Sequence, residues 1–119
     1  MDTSKLTKKI SSMLLSAMLD AEKAHNLLLN EPTSARKEIA AIGFINKAIA
    51  QMYSAESFYL VNIEVIESNK FEQILHQFNV YCREILKSYA DNHSYQWVSI
   101  EYEKLKELYD SSPFTSKTK

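Results

Sequence analysis

The chain has 119 residues, of which 45% are hydrophobic and 24% are charged, a balance typical of one globular domain and not of a disordered segment. Fourteen basic and fifteen acidic residues give a net charge of −1, so no overall field favours nucleic acid or an anionic membrane as a partner. One glycine and two prolines are too few for a fold rich in turns and strands. The composition therefore predicts an all-helical protein.

The first predicted helix covers about residues 4–30. It ends at "NEPTS", where Pro32 is tolerated only in the first turn of the next helix and Asn30, Thr33 or Ser34 can cap that helix. Its apolar residues recur at steps of three and four, as on the buried face of a packed helix. These residues are Ile10, Leu14, Ala17, Ala21, Ala24 and Leu28.

The second predicted helix is long, covers about residues 33–67, and has an expected bend or break near Ser57 or Asn62. In "AAIGF", the small residues Ala40, Ala41 and Gly43 predict a close approach by a neighbouring helix. The predicted buried face consists of Ile39, Ile42, Ile45, Ile49, Met52, Tyr59, Ile63 and Ile66.

Two shorter helices follow, over about residues 70–91 and 94–110. Asn69 and Glu72 have the spacing of a capping box at the start of the third helix, and Asn92 or Ser94 can cap the fourth. The predicted buried residues are Phe71, Leu75, Phe78, Cys82, Ile85 and Tyr89 in the third helix and Tyr95, Val98, Tyr102, Leu105 and Tyr109 in the fourth.

These helices predict a single domain over residues 1–119, an elongated antiparallel (up-down-up-down) four-helix bundle. Residues 111–119 are expected to form a flexible tail, apart from a contact made by Phe114. A single cysteine and the lack of an apolar run of about 20 residues favour a cytoplasmic protein with no membrane partner. The serine-broken run "ISSMLLSAML" does not favour a signal peptide.

Two pairs of residues have spacings found in metal sites. Glu22 and His25 are three residues apart, as in di-iron helical bundles, and Glu72 and His76 are four apart. Because the sequence contains no second Glu-x-x-His and no third ligand for the other pair, we expect neither a metal nor another cofactor.

The only cysteine, Cys82, lies in "FNVYCREIL" beside Arg83. A reactive cysteine needs exposure, a nearby cation or a helix N-terminus, whereas Cys82 falls on the predicted buried face in the middle of a helix. Packing is therefore the favoured interpretation. Helical nucleases of the HEPN class carry an Arg and a His a few residues apart, but Arg83 and His93 are separated by ten positions. We expect no catalytic residue.

Aromatic residues are abundant, with seven Tyr, five Phe and one Trp. Several lie off the predicted buried faces, and large aromatic rings are enriched at protein interfaces. A partner helix or extended segment could lie between helices at such a surface. The candidate partner-binding residues are Phe44, Phe58, Tyr81, Arg83 and Trp97.

Two stretches, "INKAIAQMYSAESFYL" and "FNVYCREILKSYADN", resemble consecutive helices of the flagellar export chaperone FliS family. The resemblance covers about residues 10–109. That family's N-terminal tyrosine-containing segment and glycine-rich connection are not matched. The resemblance implies a helical bundle that holds an aggregation-prone protein segment before export or assembly, without catalysis.

The sequence thus predicts a non-enzymatic, protein-binding helical bundle that acts as a small chaperone, adaptor or inhibitor. Two alternatives remain open. One is a HEPN-like or metal-dependent helical enzyme, and the other is a structural protein that self-associates as a homodimer.

Overall fold

A computed structural model describes residues 3–29, 34–91 and 94–115, and these parts of the chain are all-helical, as predicted. They contain five helices and no strand. The helices are α1 (Thr3–Leu29), α2 (Ala35–Val61), α3 (Ile63–Ile66), α4 (Asn69–Asp91) and α5 (Gln96–Asp110).

The helices form an elongated body that measures 47 × 24 × 19 Å. Helix α1 packs along α2, and α4 packs along α5, with fewer contacts between these two pairs. The long dimension agrees with α1 and α2, which have 27 residues each and are about 40 Å long at 1.5 Å per residue. Within the described residues, none of the helices combines the length and the apolarity that crossing a membrane requires.

The contact between α1 and α2 is built from small side chains. All six residues predicted for the buried face of α1 are buried, including Ala17, Ala21 and Ala24. Because alanine side chains are short, the two helices can approach closely. On α2 the buried residues alternate at steps of four and three, the repeat of a coiled coil. They are Ala41, Ile45, Ala48, Met52, Ala55 and Tyr59.

This face agrees with the predicted one at Ile45, Met52 and Tyr59 and differs from it at other positions. Ile39 was predicted to be buried, but it is 64% exposed. The prediction for Gly43 was also wrong, since it is exposed and, within the described part of the chain, a Cβ at this position would contact no other helix within 4 Å. Ala41, and not Gly43, allows the close approach.

Helix α2 begins at a side-chain cap and ends at a break. The Ser34 hydroxyl accepts a hydrogen bond from the Lys37 amide at 3.2 Å, which confirms Ser34 as a cap. At the other end, the Asn62 side chain donates to the Phe58 carbonyl at 2.9 Å and separates α2 from the single turn of α3. Residues 33–67 therefore do not form one helix, and the break falls at one of the two expected positions.

Ser68, and not Asn69, caps α4. Its hydroxyl accepts from the Phe71 amide at 3.1 Å, so Asn69 is already the first residue of the helix. Glu72 accepts a hydrogen bond from the Tyr59 hydroxyl at 2.7 Å, and this hydroxyl in turn accepts from the Ser68 amide at 2.9 Å. Tyr59 therefore ties the end of α2 to the start of α4.

Helix α4 buries Ile74, Tyr81 and Ser88, none of which was predicted to be buried. The prediction for Tyr89 was wrong, because its ring is exposed. On α5, the predicted residues Val98, Tyr102, Leu105 and Tyr109 are buried, and Tyr95 is half-buried.

The first residues after α5 also belong to the core. Ser112, Phe114 and Thr115 are buried, so more of this segment packs against the helices than the predicted contact of Phe114 alone. The Phe114 ring lies edge-on to the Phe71 ring at 6.1 Å, which is the expected contact. Residues 116–119 lie outside the described part of the chain.

Candidate functional site

The residues considered for metal binding lie on different helices. Glu22 and His25 are on α1, and Glu72 and His76 are on α4. Across the described ranges, no group of three or more His, Cys, Asp and Glu side chains is placed to hold a metal ion. Glu72 is engaged with Tyr59, and His76 is exposed beside an open groove.

His25 packs between α1 and α5. Its ring stacks on the Tyr102 ring with centroids 4.0 Å apart, and its Nδ1 atom is buried without a hydrogen-bond partner among the described residues. Burial lowers the His25 pKa from its ordinary value, and the nearby carboxylates of Glu103 and Glu22 oppose this shift. Burial, followed by Glu22 and Glu103, raises the pKa of Tyr102 to about 12. The neutral imidazole therefore serves as a packing group.

Cys82 is buried in α4, which confirms the predicted packing position. Burial raises the pKa of its thiol to about 12, so the thiolate is scarce at neutral pH. The neighbouring Arg83 is exposed, on a surface that it shares with Glu84 and Lys87. His93 lies outside the described residues.

Tyr81 does not belong to a binding surface. Its ring is completely buried, and its hydroxyl donates to the Ala21 carbonyl at 3.0 Å. Burial raises the pKa of Tyr81 far above its ordinary value. The prediction of Tyr81 as a partner-binding residue was therefore wrong, because a partner cannot reach this side chain.

Phe44 and Phe58 are half-buried against the core. A lysine ammonium from α1 lies over each ring: Lys23 is 5.4 Å from the Phe44 centroid, and Lys9 is 5.8 Å from the Phe58 centroid. Such cation–π contacts favour these ring positions. Both rings therefore help to join α1 to α2.

Trp97 is the exposed aromatic residue among the five candidates, at 62%. It lies in the first turn of α5, three residues before the exposed Ile100, so the two side chains are neighbours on one face. Ile100 also lines an open groove of about 710 Å³ between the end of α1 and the start of α5. This groove, which we call the α1–α5 groove, is lined by Leu28, Leu29, Ser94, Tyr95, Gln96, Ser99 and Ile100.

One wall of the α1–α5 groove is fixed by Tyr95. Its hydroxyl donates to the Glu38 carboxylate at 2.6 Å and so connects the start of α5 to the start of α2. Burial and this carboxylate raise the pKa of Tyr95, so the hydroxyl keeps its proton near neutral pH. The groove combines apolar walls with the hydroxyl and amide groups of Ser94, Ser99 and Gln96.

A second exposed apolar surface runs along α2 and was not identified from the sequence. Tyr53 is 66% exposed and Leu60 is 56% exposed. We call this surface the α2 outer stripe; it consists of Ile39, Ile42, Ile49, Tyr53 and Leu60. The signal that could have revealed it is a second set of apolar residues at steps of three, four and seven on the same helix.

No protein-family model, no curated protein and no solved structure matches this chain.

Proposed function

We propose that this protein is a non-enzymatic helical bundle that holds a segment of a partner protein in the α1–α5 groove. The observation that carries the proposal is the exposed pair Trp97 and Ile100 on one face of α5, beside this groove. Exposed aromatic anchors next to an apolar groove are typical of protein-binding surfaces. A chaperone, an adaptor and an inhibitor would all use such a surface.

Within this proposal the four long helices form an antiparallel four-helix bundle. Supporting contacts join an early residue of one helix to a late residue of its neighbour, as between Lys9 and Phe58. The same relation holds for α4 and α5, where Phe71 near the start of α4 contacts Phe114 beyond the end of α5. Short connections also favour antiparallel neighbours.

The resemblance to the flagellar export chaperone FliS family adds a specific form of this function. A cytoplasmic export chaperone would cover an apolar segment of its client before the client is assembled. The α1–α5 groove offers apolar walls for such a segment, with polar groups for its backbone. Binding of this kind requires no reactive group, in keeping with the buried thiol of Cys82.

The chain contains one tryptophan, so the fluorescence of Trp97 reports directly on this surface. The tagged protein is used to capture partners from its native host, and a purified captured partner is then titrated onto the untagged protein. We expect a blue shift of the Trp97 emission, because the bound segment removes water from the ring. Trp97→Ala should weaken binding at least about tenfold, which is typical of an aromatic anchor.

Leu19→Ala provides the matched control, since Leu19 is a large exposed apolar residue in the middle of α1 that belongs to neither the α1–α5 groove nor the α2 outer stripe. This variant should bind the partner as well as the unmodified protein does. Equal binding by Trp97→Ala, or repeated capture without any retained protein, would contradict the proposal.

A further inference from the structure

The α2 outer stripe has the repeat of a helix-pairing surface. Positions 39, 42, 46, 49, 53, 56 and 60 alternate at steps of three and four, parallel to the buried positions of the same helix. Side chains with this repeat stay on one side of the helix, so they can all face a second helix that packs along its whole length. Ile42 and Ile49 are half-buried against the core, while Ile39, Tyr53 and Leu60 project outward.

The charges in the first half of α2 differ from those in its second half and in α3, and this difference indicates what could cover the stripe. Residues 35–48 contain three basic side chains and one acidic side chain, whereas residues 49–68 contain three acidic side chains and no basic one. The basic residues are Arg36, Lys37 and Lys47, and Lys47 lies 3.9 Å from Asp20 of α1. The acidic residues are Glu56, Glu64 and Glu67.

A second copy of the chain whose α2 runs antiparallel to the first has the complementary charge at both ends of the paired helices. The basic start of α2 in each copy then lies near the acidic end of α2 and α3 in the other. A parallel pairing would bring like charges together, which disfavours it. A closed twofold dimer also uses the same surface on both copies, as most homodimers do.

One antiparallel register also matches the side chains along the stripe. When Asn46 lies opposite Glu56 of the second copy, Tyr53 lies opposite Ile49 and Leu60 lies opposite Ile42. Polar positions then meet polar positions, and apolar positions meet apolar ones. Shifting the register by seven residues would place Glu56 against Ile39 or Tyr53, which would bury a carboxylate against apolar surface.

We propose that the α2 outer stripe is the interface of a homodimer, in which two copies of α2 pack antiparallel around a twofold axis near residue 51. The polar pair of Asn46 and Glu56 sets the register, as single polar residues do in coiled coils. This interface is separate from Trp97 and the α1–α5 groove, so it does not depend on the proposed function.

The test changes the charges at positions 46 and 56, which face each other across the proposed interface. Sedimentation equilibrium over a concentration series measures the dimer dissociation constant of each variant. The unmodified chain should form a dimer. Asn46→Glu should raise the dimer dissociation constant at least about tenfold, because it places two like-charged pairs in the symmetric interface. Adding Glu56→Lys in the same chain should restore dimerisation. Positions 46 and 56 are about 15 Å apart along their own helix, so only contact between copies couples them.

Ser54→Glu is the matched control, since it adds the same charge at an exposed position outside the stripe and should leave the dimer intact. Circular dichroism establishes that each variant is folded. The proposal is overturned if the unmodified chain is monomeric throughout, if Asn46→Glu dimerises normally, or if the double variant does not recover. If a different protein, and not a second copy, covers the stripe, the unmodified chain will be monomeric throughout.

Discussion

His25 illustrates how one side chain can combine packing with a response to pH. Its ring is stacked on Tyr102, and none of the residues that the structure describes forms a hydrogen bond with its buried Nδ1. Burial lowers the pKa of His25, which means that the folded protein favours the neutral imidazole. The nearby carboxylates of Glu22 and Glu103 stabilise the charged form but do not outweigh burial.

We therefore predict that His25 makes the protein less stable in mild acid. As the pH falls below about 6.5, the unfolded chain binds a proton that the folded protein takes up only at lower pH, so the free energy of unfolding decreases. His25→Phe keeps a ring against Tyr102 but cannot titrate. Denaturant unfolding at pH 7.5 and pH 5.0 should show a smaller loss of stability for this variant, and an identical loss would contradict the prediction.

The sequence predicted correctly that Cys82 is buried, but the prediction that its neighbour Tyr81 lies on a binding surface was wrong. Both side chains are buried, because the core-facing surface of α4 is wide enough to include adjacent positions. A large polar residue such as Tyr81 can be buried when its hydroxyl has a partner, here the Ala21 carbonyl on another helix. That partner is 60 residues away in the chain, so local spacing could not reveal it.

At the scale of the element, α2 shows why an apolar pattern does not always identify the buried face. The helix carries two sets of apolar residues in parallel repeats. The predicted buried face combined members of both sets: Ile39, Ile42 and Ile49 belong to the outer set, whereas Ile45, Met52 and Tyr59 belong to the set that is buried. The alanines that complete the buried set, Ala41, Ala48 and Ala55, pack against the alanines of α1 and were not predicted as part of it. The distance between two packed helices depends on the side chains of both. Because α1 presents alanines, the α2 face that also carries alanines can approach it most closely and is the one that is buried.

The position of Gly43 leads to a prediction about the stability of α2. Gly43 is exposed within α2, and a Cβ there would lie more than 4 Å from every other helix that the structure describes. Gly43→Ala should therefore increase the free energy of unfolding by about 1 kcal/mol, because alanine loses less backbone entropy in a helix. Chemical denaturation measures this change.

Ala40→Gly offers the reverse substitution at an exposed site in the same helix and should decrease the stability by a similar amount. If Gly43 were instead the point of close helix approach that its sequence context suggested, Gly43→Ala would destabilise the protein.

At the scale of the molecule, side chains at both ends of the structure tie the helices together. Tyr59 joins α2 to the start of α4, and Tyr95 joins the start of α5 to the start of α2. The all-helical class followed from composition, and most of the predicted buried residues of α1 and α5 were correct. For residues 111–115 only a contact by Phe114 was predicted; the burial of Ser112 and Thr115 was not, because "SSPFT" has no helical periodicity.

This final segment is expected to stabilise the whole molecule. Phe114 is buried against Phe71 at the start of α4, and the segment that carries it borders a groove lined by residues of α1 such as Thr7 and Leu15. The ring of Phe114 therefore bridges the end of α5 to elements from earlier in the chain. Because its removal would leave a cavity among these elements, Phe114→Ala should decrease the free energy of unfolding by about 3 kcal/mol.

Urea denaturation followed by circular dichroism measures the effect of Phe114→Ala on the complete chain. Tyr89→Ala serves as the control, since it removes an aromatic ring from an exposed position on α4 and should change the stability by no more than about 0.5 kcal/mol. If the segment were a flexible tail, as the sequence alone indicated, both substitutions would have equally small effects. A large and specific loss for Phe114→Ala would show that residues beyond α5 complete the hydrophobic core.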